Sequence, residues 1–476
     1  MRSGREGSHL EVDGSAGTMF AVLALMTATA SEAKTSSHSN EDIGKGANAP
    51  ESGRRMARKM GVLLLGADYY GTLAAARAYG RAGIEVTMAD ENRHARALFS
   101  RHVARKLVHP PLSRPKELVD WLVEWGTKSG KGSSLLYPPN DHLAWLFAAE
   151  RERLSNTFAM FSPSEDAVFT LLDKKRLHEA CADVGIDVPL TLSVSDIEGG
   201  RSVPFPVLLK PRTQVYLTSG IKGFIAHDRA ELDAELKRFR ELVTFDPVLT
   251  ERHPDIAEPM VQEYLTAAET NIFSVSGFVG DGGAIVARAA MKVLQRPRKV
   301  GIGLCFEGRH VEEPLVEKLA ALCKKIGYHG AFESEFIVQG DKRLLIDFNP
   351  RFYSQMGFDI ARGLPLPMLV WHSARGDQDG VTAELERARG WRANGREVYL
   401  HKTMFDLVLG LQGLSGQMSR DEVRRWRGWY ASHSAGAVDA VRDPDDRMPA
   451  VVDTAQWVRH FARHPRSFVR SFVLNR

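Results

Sequence analysis

Two acid-bearing strand segments joined by a short turn carry the densest chemistry in this 476-residue sequence. They read Ala331-Phe-Glu333-Ser-Glu335-Phe-Ile337 and Leu344-Leu-Ile-Asp347-Phe-Asn349-Pro-Arg351. Strand alternation sets Glu333, Glu335 and Ile337 on one face, with Phe332, Ser334, Phe336 and Val338 on the other, and keeps Asp347 and Asn349 together. If Gly340-Asp341-Lys342 forms the loop, residue 339 pairs with 343 and Glu335 falls opposite Asp347; an even loop would put the two on opposite faces. Carboxylates gathered on one side of a buried hairpin repel each other and need a cation. Oxygen-only donors point to a hard ion, Mg²⁺ or Mn²⁺, which commonly shares its shell with nucleotide phosphates. A solvated hairpin face with ordinary acids is the plain alternative.

Lys174, Lys210 and Lys222 lie in three separate upstream elements. Each can lend a positive charge to a phosphate chain, although a lone strand-end lysine is usually a surface residue with a buried stem. Taken with the acidic hairpin, they suggest a nucleotide triphosphate clamped between basic side chains and Mg²⁺. Arg288, Lys292 and Arg296 recur every fourth residue before Gly301-Ile-Gly303. They suit a substrate carboxylate, Arg288 first among them, and equally a solvated basic strand edge. His329 and Tyr353 flank the hairpin, where a histidine is more often structural.

These groups need a scaffold. Gly61 to Leu65 reads as a central parallel strand, Gly66 to Gly71 as a turn into a helix ending near Gly80 and Gly83, and Ile84 to Ala89 as a second strand ending at Asp90, which together make a βαβ opening. A dinucleotide site there is disfavoured, because Gly66-Ala-Asp-Tyr-Tyr-Gly71 lacks the GxGxxG spacing and Asp68 would sit beside the phosphates. Ser134 to Tyr137 reads as a strand ending in a polar turn, Pro138 to Asp141, at the edge of this lobe. From Phe161 the order becomes strand-rich with interspersed helices. It comprises a helix opened by Asp173-Lys174, strands ending at Val194 and Lys210, a helix over 230–242, strands over 259–265, 271–279 and 284–293, a helix over 314–326 and the acidic hairpin. This part reads as α+β.

In this order and spacing the chain resembles the ATP-grasp superfamily of carboxylate-amine ligases. The resemblance rests on Asp173-Lys174, Pro206-Val-Leu-Leu-Lys210-Pro211, Val261-Gln-Glu263-Tyr264-Leu265 with Glu269, Glu335-Phe-Ile337 and Asp347-Phe-Asn349-Pro-Arg351. It implies a two-lobed ATP-grasp fold over roughly 161–367, preceded by the family's α/β lobe. It also implies roles. Lys174 and Lys210 contact ATP phosphates. The segment Gln262, Glu263, Tyr264, Leu265 is the hinge whose backbone binds adenine, and Glu269 holds the ribose. Glu335, Asp347 and Asn349 bind Mg²⁺, Arg351 stabilises the transferred phosphoryl group, and Lys222 lies in or beside the phosphate-covering loop. Three features depart from the family's usual pattern: Thr266-Ala-Ala268 replaces a glycine-bearing hinge loop, aspartate stands at 347 where glutamate is commoner, and the covering loop is not strongly glycine-rich.

Composition sets the outer limits. Hydrophobic residues are 43 % and charged residues 26 %, an ordinary globular mixture, and a formal charge of +4 gives no case for nucleic acid. Cys181, Cys305 and Cys323 form no CxxC pair, so a reducing compartment is the default. Met19 to Ala30 is apolar and is followed by a polar stretch; the pair reads either as a disordered or mis-started extension with Met56 or Met60 as the start, or as an export signal. The expected organisation is an extension over 1–57, a pre-ATP-grasp α/β domain over 58–160, the ATP-grasp domain over 161–378 and a mostly helical C-terminal appendage over 379–476. The expected protein is a cytoplasmic ligase using ATP and Mg²⁺ (or Mn²⁺) to join a small-molecule carboxylate to an amine, ADP-forming, with no nucleic-acid or membrane partner and with a homodimer admissible. A non-catalytic nucleotide-binding regulator and a nicotinamide-dependent oxidoreductase are the rival readings.

Overall fold

The computed structural model describes residues 60–296, 303–393 and 395–473. The expected extension, with its apolar run and Met56, and the pair Gly301-Ile302 lie outside them. Among the described residues no helix is long and apolar enough to cross a membrane.

The first sheet has five parallel strands: β1 (Gly61–Leu65), β2 (Val86–Asp90), β3 (Val103–Val108), β4 (Ser134–Leu136) and β5 (Ala159–Met160), in the order β3-β2-β1-β4-β5. β1 is buried on both faces, as its uninterrupted apolar run requires. β4 is therefore interior, not at the edge, because the two-residue β5 adds beyond it. The turn after β1 is closed from within the chain. Asp90 accepts hydrogen bonds from the backbone N–H of Ala67 (2.6 Å) and of Asn92 (2.8 Å), so the acid that could have held a ribose instead pins the turn. Gly71 serves packing: a Cβ there would lie 2.3 Å from the carbonyl oxygen of Tyr353, so only glycine lets helix Tyr70–Arg81 approach the chain beyond the acidic hairpin.

A small four-stranded sheet follows, ordered β6-β9-β7-β8 from β6 (Thr191–Ser193), β7 (Val207–Lys210), β8 (Phe224–Ala226) and β9 (Met260–Glu263). Helix Arg229–Leu242 covers it through Leu232, Leu236 and Phe239. The large sheet runs β14-β13-β10-β11-β12-β15-β16, built from β10 (Ile272–Val279), β11 (Ile285–Gln295), β12 (Gly303–Arg309), β13 (Gly330–Gln339), β14 (Lys342–Asn349), β15 (Val398–Leu400) and β16 (Val438–Asp439). Its apolar face holds Phe332, Phe336 and Phe348, all at 0 % exposure, with the Phe332 and Phe348 rings stacked at 5.3 Å. Helices Lys174–Ala182 and Glu313–Ile326 pack on that face.

The hairpin reaches its expected pairing by another route. The turn is the two residues Gly340-Asp341, with Gln339 opposite Lys342, and that even loop alone would misface the acids. A bulge at Ile346, between the pairs Phe336/Leu345 and Glu335/Asp347, inserts one residue and restores Glu335 opposite Asp347 and Glu333 opposite Asn349.

The region expected as one helical appendage divides. Residues 398–400 and 438–439 are strands of the large sheet, because β12 leaves an open edge that β15 takes up antiparallel and β16 extends in parallel. Residue 379 falls inside helix Gln378–Arg389, so it ends no element. Residues 60–401 and 433–453 form one compact unit; among the described residues, 402–432 and 454–473 form a second. In the second unit, helix Lys402–Leu414 buries Met404, Phe405, Leu407 and Val408, and Phe405 lies 5.8 Å from Tyr430.

Candidate active site

Each candidate residue is placed by a specific local device. Asp173 caps helix Lys174–Ala182 by accepting from the N–H of Lys175 (3.0 Å), and it is itself fully buried against the guanidinium of Arg212, whose Nε donates to it at 3.0 Å. Lys174 also donates its backbone N–H to the carbonyl of Arg212 (2.8 Å). The first helical residue is thus fixed against the end of β7, and its ammonium reaches Asp347 (2.6 Å). Lys210, the last residue of β7, donates to the amide oxygen of Gln262 (2.8 Å), which is anchored in turn through its NH₂ on Thr191 (3.0 Å).

On the hairpin, Glu335 accepts from Lys292 (2.6 Å) and Asp347 from Lys174. Glu333, 4 % exposed, accepts from the Asn349 amide (2.7 Å) and from Gln355 (2.6 Å). Arg351 donates to the Asn349 side-chain oxygen (2.8 Å) and to Asp141 (2.6 Å). A cleft of about 320 Å³ is lined by Glu333, Glu335, Asp347, Asn349 and Arg351 together with Tyr70, Phe306 and Tyr399.

The electrostatics follow from packing so many charges together. Burial, then repulsion from Lys174, pushes the Lys210 ammonium down to about 7, with Asp347 opposing. Burial pushes the Asp347 carboxyl up, but Lys174 beside it, helped by Lys210 and Arg351, outweighs that and holds it below the usual carboxylate range. The Asp347 side chain remains 39 % exposed, so solvent softens this effect. Burial and the nearby Glu335 push Glu333 up. Burial, with Lys210 and Lys174, drives His178 down to about 3, which leaves a neutral ring.

The Lys210 shift sets a pH dependence. Its folded value lies below the ordinary lysine value of 10.5, so between about pH 7 and that value the unfolded chain holds a proton that the folded chain does not. Stability contributed by this group therefore rises with pH through that window and is lost as pH falls toward 7. Denaturant midpoints compared at pH 7 and pH 9 should show this rise reduced in Lys210→Met; an identical rise in both proteins would contradict it.

The other candidates are placed as follows. Lys222 lies exposed in the loop between β7 and β8, a loop tied back through the Thr218 N–H to the Thr244 carbonyl (2.8 Å), and it is not brought to the cleft. Glu263 is committed to Leu190, just before β6: its backbone N–H and its carboxylate bond the Leu190 carbonyl and N–H, respectively, while the Tyr264 N–H donates to the Pro206 carbonyl. Among the described residues the Leu265 N–H has no partner, so Leu265 is the hinge residue able to donate to a ring nitrogen. Glu269 ends the short helical turn Thr266–Glu269, which Gln295 holds through the carbonyls of Ala268 and Glu269.

Arg288 needs correction as a substrate contact. Its guanidinium donates to the carbonyls of Arg362, Ala287 and Ala388 and stacks 4.9 Å from the Trp391 ring centroid, so it ties helix Gln378–Arg389 to the sheet. His329 packs at a tilt against Phe161 (4.5 Å between ring centroids) and does not line the cleft, whereas Tyr353 does. Sequence reasoning missed Asp141, Gln355 and the Glu333 partnership. For Glu333 the signal was present, two residues before Glu335 on the same face; for the others nothing local marked them.

Oxygen donors suit Mg²⁺, and the opposed pair Glu335/Asp347 with Asn349 beside it supplies three. Among the described residues no group of three or more His, Cys, Asp or Glu could hold a metal, so a bound ion must draw on the amide and on ligand oxygens as well.

No protein-family model matches the chain. It is 23 % identical to the carbamoyl phosphate synthase large chain of Vibrio cholerae over 236 residues, 47 % of this chain and 20 % of that one, and 22 % identical to its Vibrio vulnificus counterpart over the same extent. The chain spans about a fifth of the length of these curated relatives. Among solved structures it resembles the L-amino acid ligase of Bacillus licheniformis (13 % identity, TM-score 0.51, covering 67 % of this chain and 76 % of that one). It also resembles a Campylobacter jejuni biotin carboxylase in an ATP complex (15 %, TM-score 0.52, 67 % and 72 %).

Proposed function

Because the chain carries the ATP-grasp fold of these neighbours, we infer that it is an ATP- and Mg²⁺-dependent ligase that activates a carboxylate as an acyl phosphate and passes the acyl group to an amine. The observation that carries this reading is the row Glu333, Glu335, Asp347 and Asn349 lining one cleft with Lys292 and Arg351, with Lys174 bonded to Asp347 and Lys210 held on Gln262.

In this reading Glu335, Asp347 and Asn349 hold Mg²⁺, which neutralises phosphate charge when bound. Lys174 and Lys210 bind the triphosphate, Leu265 donates to adenine, and Arg351, braced by Asp141, faces the phosphoryl group in transfer. A substrate carboxylate oxygen attacks the γ-phosphorus in line and ADP departs. The amine nitrogen then attacks the acyl carbon, the carbon–oxygen bond to phosphate breaks, and the amine loses one proton. The side chains position and stabilise charge; none forms a covalent bond. Arg288 has no part in it, and Lys222 contributes only through the covering loop. The proposed extents are 58–160 for the preceding lobe and, for the grasp domain, 161 to about 401 with 433–453, since β15 and β16 belong to its sheet. A reducing, cytoplasmic setting suits the three free, buried cysteines.

Phosphate release screened over pairs of small carboxylates and amines, with ADP distinguished from AMP, tests the reading and identifies the substrates. A phosphate chain beside Lys210 restores its charge, so Mg-ATP binding at pH 8 should take up a proton, read by calorimetry in two buffers of different ionisation enthalpy. Lys210→Met should lose that uptake and bind more weakly. Unchanged nucleotide affinity would count against its role.

A further inference from the structure

Next to the cleft, and sharing Ala440 with it as a wall, the same unit holds a larger cavity of about 490 Å³. Three distant stretches build it: helix Tyr70–Arg81, helix Met356–Ala361 and the segment 435–444. Small residues line much of it, and at Gly436 a glycine is required by the close approach of the chain. A Cβ on Gly436 would fall 2.1 Å from the carbonyl oxygen of Gly395, and one on Gly357 would touch Ala74 at 3.4 Å.

Charge is concentrated there. Arg77, Arg81, Arg396 and Arg442 line the cavity against Asp439 and Asp443. Both acids are already engaged: Asp443 accepts from Arg81 and lies 3.9 Å from Arg77, and Asp439 accepts the backbone N–H groups of Val441 (2.8 Å) and Arg442 (2.6 Å). Arg77 is scaffold, donating to Asp446 (2.9 Å) and to the Val441 carbonyl (2.7 Å). The half-buried Arg442 side chain has no partner among the described residues. A guanidinium with free donors beside small apolar walls matches an oxyanion carried on a compact apolar body.

We propose that this cavity is a binding site for a small organic anion, a carboxylate or phosphate monoester, distinct from the nucleotide cleft. Arg442 takes the anionic head, and the alanine- and glycine-lined walls take the body. The site rests on its own residues and stands whether or not the ligase reading does.

The test titrates the full chain with phenyl phosphate and, separately, with benzoate. Inorganic phosphate and benzyl alcohol serve as the head-only and body-only controls, and binding is read by saturation-transfer NMR and calorimetry. At least one aromatic anion should bind more tightly than both controls, with equal affinity in wild type and in Lys210→Ala, which impairs phosphate contacts in the cleft. Its affinity should fall about tenfold or more in Arg442→Ala and in Ala78→Phe, which fills the cavity. The phosphate and benzoate arms decide which head group is preferred. Failure of both anions to bind, binding indifferent to both cavity variants, or binding lost in Lys210→Ala would overturn the proposal.

Discussion

Asp347→Asn and Glu335→Gln should each lower ATP-dependent turnover by about 10²–10³-fold, the scale of losing one charge-stabilising group aimed at a reacting phosphate, while the chain stays folded. The two acids stand opposite each other only because the Ile346 bulge realigns β14 on β13, and each is held by a lysine from a different element. Removing one charge leaves Lys174 or Lys292 without its partner. The Lys292 side chain is the less exposed of the two, at 6 % against 14 % for Lys174. Glu335→Gln should therefore cost more stability than Asp347→Asn as well as activity. Turnover within tenfold of wild type in both variants, with matched nucleotide affinity, would refute their role in the reaction.

The second large effect concerns stability. Asp173 is fully buried, caps the helix that begins with Lys174 and pairs with Arg212, whose side chain is 7 % exposed. Asp173→Ala removes the cap and leaves a buried guanidinium with only Asp255 in reach among its acidic partners. The expected cost is about 3–5 kcal/mol, read as a shift in the first denaturant transition, with nucleotide binding weakened because Lys174 loses its anchor. Asp173→Asn keeps an acceptor for the cap and should recover part of the loss. A cost below about 1 kcal/mol for the alanine variant would show that Arg212 and the helix start are held by other contacts.

The parts legible in the sequence were those written in local pattern. Alternation in 331–349 put Glu333 with Glu335 on one strand and Asp347 with Asn349 on the other, and Asp173 before Lys174 announced a helix start; whether the two pairs shared a face depended on the turn and the bulge. Long-range choices were hidden. The 43 residues separating Lys292 from Glu335, and the 210 separating Asp141 from Arg351, leave no local trace of either pair. The bulge was hidden because one added residue is a property of the paired ladder, not of either strand alone. β15 and β16 are three and two residues long, too short for periodicity to register, so a sheet edge was read as part of a helical appendage. Arg288 was misjudged because a strand cation looks the same in sequence whether it meets a substrate or three backbone carbonyls.

The most direct test of the central claim replaces the amine with hydroxylamine. An acyl phosphate formed in the cleft is captured as a hydroxamate, so a carboxylate substrate with Mg-ATP should yield hydroxamate and ADP in equal amounts, and neither should accumulate with Glu335→Gln. AMP in place of ADP, or ADP formed without any carboxylate-dependent hydroxamate across the carboxylates screened, would contradict the account.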